Sequence, residues 1–89
     1  MAIETEIKRF GSSHFVDIEV IFHTPDSRYK SFRRIGYIER TSCEYTDCFA
    51  WQAQVEDGVY MAVMDFAVPA KVKQRYKELR PVIDAMLAE

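Results

Sequence analysis

From Gln52 to Ala67 the chain reads Q-A-Q-V-E-D-G-V-Y-M-A-V-M-D-F-A, two alternating apolar runs separated by Asp57-Gly58. A two-residue loop between strands needs positive φ, which Asp and Gly tolerate, so the pattern predicts a β-hairpin. Regular pairing sets Glu56 against Val59 and Val55 against Tyr60. Phe49, Trp51, Ala53 and Val55 then share a core face with Tyr60, Ala62, Met64 and Phe66, while Ala50, Gln52, Gln54, Val59, Met61 and Val63 point the other way. A helix over Thr46 to Asp57, capped by Thr46 or Asp47 and stopped by Gly58, is the competing reading.

Upstream, residues 2 to 10 alternate weakly around Ile3 and Ile7 and predict a first strand, broken by Gly11-Ser12-Ser13. His14 to His23 alternates strictly. Val16, Ile18, Val20 and Phe22 fall on one face and Asp17, Glu19 and Ile21 on the other, the period of a half-buried strand. Thr24-Pro25-Asp26-Ser27 predicts a turn. The return strand from Arg28 to Arg40 breaks parity, because Phe32 sits on even spacing and Tyr29, Ile35 and Tyr37 on odd. A bulge near Arg33-Arg34 or at Gly36 would reconcile them. Thr41 to Asp47 reads as a loop.

After Val68 the period lengthens to that of a helix, with Val72, Tyr76, Leu79, Ile83, Met86 and Leu87 on one stripe. Pro69 suits the first helical turn. Pro81 lies opposite the stripe and predicts a kink near Leu79-Arg80. The whole is an α+β fold: an antiparallel sheet of four or five strands, a β-meander, with one C-terminal helix on its apolar face. Residues 1–89 form one domain.

Eighty-nine residues with 48% hydrophobic side chains can bury a core without metal or disulfide. No apolar run reaches the roughly 18 residues of a membrane span, and the start, M-A-I-E-T-E, has acids where a signal peptide has bases, so the expected location is the cytoplasm. Cys43 and Cys48 are then free thiols. The net charge of −2 gives no overall pull toward nucleic acid or an anionic membrane. Cations nevertheless cluster, as Arg28, Lys30, Arg33, Arg34 and Arg40, and as Lys71, Lys73, Arg75, Lys77 and Arg80.

Candidate chemistry is thin. His14, His23, Cys43 and Cys48 are metal-ligand types, but the cysteines are five apart and the histidines point to opposite faces of one strand, so neither metal nor other cofactor is expected. Acids flank Cys48 and would raise a thiol's pKa, against a nucleophile. Asp17 and Glu19 share a strand face at a spacing common on solvated sheets; Arg33 or Arg34 would pair with them. No motif names a family, and no enzyme is expected.

Two binding readings remain. Gln52, Gln54, Val59, Met61 and Val63 form a patch more apolar than a solvated face needs, which suits another protein or a homodimer through the outer sheet face. This is the make-up of a small inhibitor, immunity-type or adaptor protein, including those that phages encode. The alternative is single-stranded RNA or DNA held by Arg28, Tyr29, Lys30, Phe32, Arg33, Arg34 and Tyr37, cations for phosphate and rings for stacking. A small enzyme or ligand carrier with its site between helix and sheet ranks behind both.

Overall fold

The computed structural model describes residues 3–11, 15–39, 44–46 and 51–87. Its elements are β1 (Thr5–Gly11), β2 (Phe15–His23), β3 (Ser31–Glu39), β4 (Glu44–Thr46), β5 (Trp51–Glu56), β6 (Val59–Val63), a 3-10 turn (Asp65–Ala67) and helix α1 (Ala70–Leu87). All strand pairs are antiparallel, in the order β1-β2-β3-β5-β6, with short β4 also on β3. The predicted α+β sheet with one C-terminal helix is the fold observed. Trp51 to Glu56 is strand, not helix. Part of the segment read as loop, Glu44–Thr46, is strand β4.

The strict alternation of β2 decides which way the sheet faces. Val16, Ile18, Val20 and Phe22 are all buried beneath α1. Pairing of β2 with β3 carries this face across without interruption, setting Phe32 beside Phe22, Arg34 beside Val20 and Gly36 beside Ile18. The expected bulge in β3 is therefore absent. Phe32 and Arg34 lie on the helix side, and Arg33 and Ile35 on the outer side. Arg34 is tolerated there because its guanidinium carbon stacks 5.2 Å from the Trp51 ring centre and 5.1 Å from that of Tyr76. Two aromatic faces replace part of the hydration this half-buried cation loses.

The loop between β2 and β3 is closed by Thr24. Its amide donates to the Lys30 carbonyl at 2.8 Å and its hydroxyl to that of Tyr29 at 2.7 Å, while the Ser27 amide donates back to Thr24 at 2.9 Å. Pro25 and Asp26 form the exposed turn there, as their φ preferences predict.

The bulge occurs instead in β5. Gln54 pairs with Tyr60 and Glu56 with Val59, so Val55 has no opposite residue. One extra residue reverses the facing of everything beyond it relative to regular pairing. Trp51 and Ala53 face the helix as predicted and are buried. Their partners on that face, however, are Val63 and Met61; Tyr60 and Ala62 lie on the outer face with Gln54 and Gln52. The predicted grouping of Tyr60, Ala62, Met64 and Phe66 with the core is thus overturned. Met64 follows the strand, and Phe66 lies in the 3-10 turn with its side chain in solvent. Phe49 and Ala50 fall outside the described residues.

Helix α1 buries Val72 and Ile83 fully and packs Tyr76, Leu79 and Met86 against the core. Pro69 precedes it and its carbonyl accepts from the amides of Val72 (3.0 Å) and Lys73 (3.2 Å). The helix runs undivided through Pro81, which sits on the solvent side where the pattern placed it. Phe22, Trp51 and Tyr76 make the main aromatic contact between the layers, with ring centres 5.4–6.3 Å apart. Each such pair contributes about 0.5–1.5 kcal/mol beyond simple burial.

At the hairpin turn Gly58 has φ 75°, and a Cβ placed there meets nothing within 4 Å. Gly58→Ala is therefore penalised by backbone conformation alone. It should cost about 1 kcal/mol, seen as a lower urea midpoint at unchanged m-value; an unchanged midpoint would contradict this turn geometry.

Candidate interaction surfaces

Two surfaces stand apart from the core. The first is the outer face of the sheet, formed by alternate residues of five strands. On it the Ser31 hydroxyl lies 2.8 Å from Gln54 Oε1, to which it donates, and 3.1 Å from the Tyr60 hydroxyl. Beside this trio the Arg33 Nε donates to Gln52 Oε1 at 2.7 Å, and its Nη1 donates to Glu19 Oε1 at 3.4 Å. The Arg33 guanidinium carbon also lies 4.0 Å from the centre of the Tyr60 ring. The result is a polar lattice linking β2, β3, β5 and β6, in which the Arg33 charge is already met by a carboxylate, an amide and an aromatic face. Further along, His23 Nε2 contacts Glu6 Oε2 at 3.1 Å.

This lattice explains where the predicted residues went. Gln52 and Gln54 are on the outer face, hydrogen-bonded within the chain. Val59, Met61 and Val63 are on the helix side of β6, so the five-residue patch is split between two faces. The basic-aromatic segment is split as well. Arg28 and Lys30 are exposed in the loop, with Arg28 5.4 Å from the Tyr29 ring; Tyr29 packs edge-on against Phe32; Phe32 is in the core; Arg33 and Arg34 point to opposite faces. Tyr37 pairs with Asp17 and Thr46 in the sheet. Glu6, Asp17 and Glu19 outnumber Lys8 and Arg33 among the described charges of the outer face, against a phosphate-binding platform. Expected pairing of Arg33 with the β2 acids is met by Glu19.

The second surface is at the β6 edge. Among the described residues no strand pairs with the outer side of β6. Along it Val59 is 47% exposed, Met61 44%, Met64 68% and Phe66 85%. Val55, pushed out by the bulge, adds a further exposed apolar side chain. At the far end Lys73 Nζ lies 3.0 Å from Asp65 Oδ2 and donates to the Asp65 carbonyl at 3.3 Å. Met64 and Phe66 were missed in the sequence because they continue the strand's parity. The available signal was Asp65 between them, an acid that a buried strand would not carry.

Of the residues considered as metal ligands, His14, Cys43 and Cys48 lie outside the described residues. Among those described, no group of three His, Cys, Asp or Glu side chains is placed to hold an ion. An open depression of ≈ 250 Å³ is bordered by Arg28, Lys30, Gln54 and Glu56, and another of ≈ 220 Å³ by Glu4, His23, Asp26 and Lys71. The first opens between the β2–β3 loop and the hairpin turn, and the second between that loop, the start of β1 and the first turn of α1. None of the described helices is long and apolar enough to cross a membrane. No protein-family model matches the sequence, and no curated protein or solved structure matches it.

Burial raises the Asp17 carboxyl above its ordinary range. Asp17 lies opposite Phe10 and Tyr37, between two flanking strands. The folded chain thus holds this proton to higher pH than the unfolded chain, so stability from this group is lost as pH rises through the carboxylate range and stays lost at neutral pH. Asp17→Asn should therefore stabilise the protein slightly at pH 7, the effect being small because water still screens much of this carboxyl, and the gain should vanish near pH 3. A gain that is the same at both pH values would show that ionisation of Asp17 is not its source.

Proposed function

We propose that this domain is a non-catalytic binding protein that works by protein–protein contact, with the β6 edge and the turn after it as its contact surface. The observation that carries this reading is the unpaired strand edge bordered by Val59, Met61, Met64 and Phe66 in one run of chain. Exposed apolar side chains scattered singly are ordinary, but a contiguous set on an open edge is where extended segments dock, through main-chain hydrogen bonds and side-chain pockets. Natural edges are usually blunted by lysine, proline or a bulge on the edge strand itself. V-Y-M-A-V has none of these. The outer face supports the same choice from the other side, since its polar groups are largely engaged with one another. An inhibitor, immunity-type or adaptor role fits a small domain of this kind.

The test compares the wild-type chain with Met61→Lys and Phe66→Asp in affinity capture from a lysate of its source organism. Phe66 is largely in solvent and Met61 nearly half so, and both variants should keep the wild-type circular dichroism and a melting temperature close to that of the wild type. Protein retained by the wild type should fall at least about tenfold with either variant. Retention unaffected by both changes would remove the β6 edge from the interaction.

A further inference from the structure

The helix-side residues of β6 are symmetric about Met61. On the helix side the strand presents Val59, Met61 and Val63, a valine, a methionine and a valine; on the outer side it presents Tyr60 and Ala62, one large and one small. An antiparallel pair with its two-fold axis at Met61 sets Val59 of each copy against Val63 of the other, Met61 against itself, and each Tyr60 against an Ala62. Large then meets small on one face, and equal apolar side chains meet on the other. Pairing of this kind is isologous, so a single patch completes itself.

Charge agrees with the same geometry. The turn end of β6 carries Glu56 and Asp57, and the opposite end carries Lys73, held at 3.0 Å from Asp65. An antiparallel arrangement brings each acidic turn to the Asp65–Lys73 ion pair of the other copy instead of to a second acidic turn. A parallel arrangement would set Asp57 against Asp57, which repels. Met64 and Phe66 extend past the end of β6 and would lie toward the Asp57-Gly58 turn of the second copy.

We infer that the occupant of the β6 edge is a second copy of this chain, paired antiparallel about Met61 to make one sheet continuous through both copies. The inference rests on the protein-binding reading above and names its partner. A five-residue strand pair is only about 17 Å long and falls short of the roughly 800 Å² per partner of a standard stable interface. The association is accordingly weak, with a midpoint of tens to hundreds of micromolar.

Mass measured by light scattering or sedimentation from about 10 μM to about 1 mM should rise from one chain toward two, and Met61→Lys should move that rise at least about tenfold higher in concentration. Register is read by oxidation in a background with Cys43 and Cys48 replaced by Ser. Met61→Cys should crosslink to itself, because directly opposed residues of an antiparallel pair lie within disulfide reach. Val59→Cys should not crosslink alone but should do so when mixed with Val63→Cys. A mass that stays at one chain near 1 mM, or Val59→Cys crosslinking to itself as readily as Met61→Cys, would overturn the inference. If the chain stays single while Met61→Lys still abolishes capture of a foreign protein, the second copy is excluded and the protein-binding reading survives.

Discussion

A single helix is narrower than the sheet it must cover. With strands about 4.8 Å apart, the five-strand path is about 19 Å wide, whereas a helix with its side chains measures about 10–12 Å across. Helix α1 settles over β2 and β3, where the alternating apolar face is strongest, and reaches β5 through the contact of Tyr76 with Trp51. Val63 at the end of β6 still packs against the core, but the helix side of the strand nearer the turn is left uncovered. The exposure of Val59 and Met61 follows from this width limit, and the 3-10 turn that carries Phe66 into solvent extends the same uncovered margin.

The two faces of the sheet satisfy themselves by different means. Beneath the helix, apolar burial dominates and Arg34 is held between the rings of Trp51 and Tyr76. On the outside, Ser31, Gln54 and Tyr60 form one group and Gln52, Arg33 and Glu19 another, joined where Arg33 lies over the Tyr60 ring. A partner docking on that lattice would have to replace hydrogen bonds already made, at little net gain. A partner docking on the β6 edge would instead form main-chain hydrogen bonds and cover apolar side chains, both of which favour association.

The alternation of β2, the Asp57-Gly58 turn and the helical stripe from Val72 to Met86 were legible in the sequence because each is a local pattern whose period is set by backbone geometry. What misled was nonlocal. The parity break in β3 suggested a bulge that would turn Phe32 and Ile35 to one face, yet the strand runs regularly, Ile35 lies on the outer face, and Arg34 takes the helix side because two aromatic rings distant in sequence make that side suitable for it. The bulge at Val55 leaves no mark in composition, and one unpaired residue was enough to exchange Tyr60 and Ala62 for Met61 and Val63. Strand β4 is three residues long and too short to show a period. The proposed contact surface was therefore half visible: Val59 and Met61 were selected as exposed, but on the wrong face and with Gln52 and Gln54 as companions. Phe66 was assigned to the core.

Helix α1 leaves the β6 margin bare around Met61, Met64 and Phe66 in the single chain while sealing Trp51. Hydroxyl-radical footprinting at about 1 μM, below the range in which a weak interface of this size forms, reads both at once. Met61, Met64 and Phe66 should be oxidised rapidly and Trp51 slowly. Oxidation of Trp51 as fast as Met61, or protection of Met61 at that dilution, would contradict the helix placement and with it the open edge.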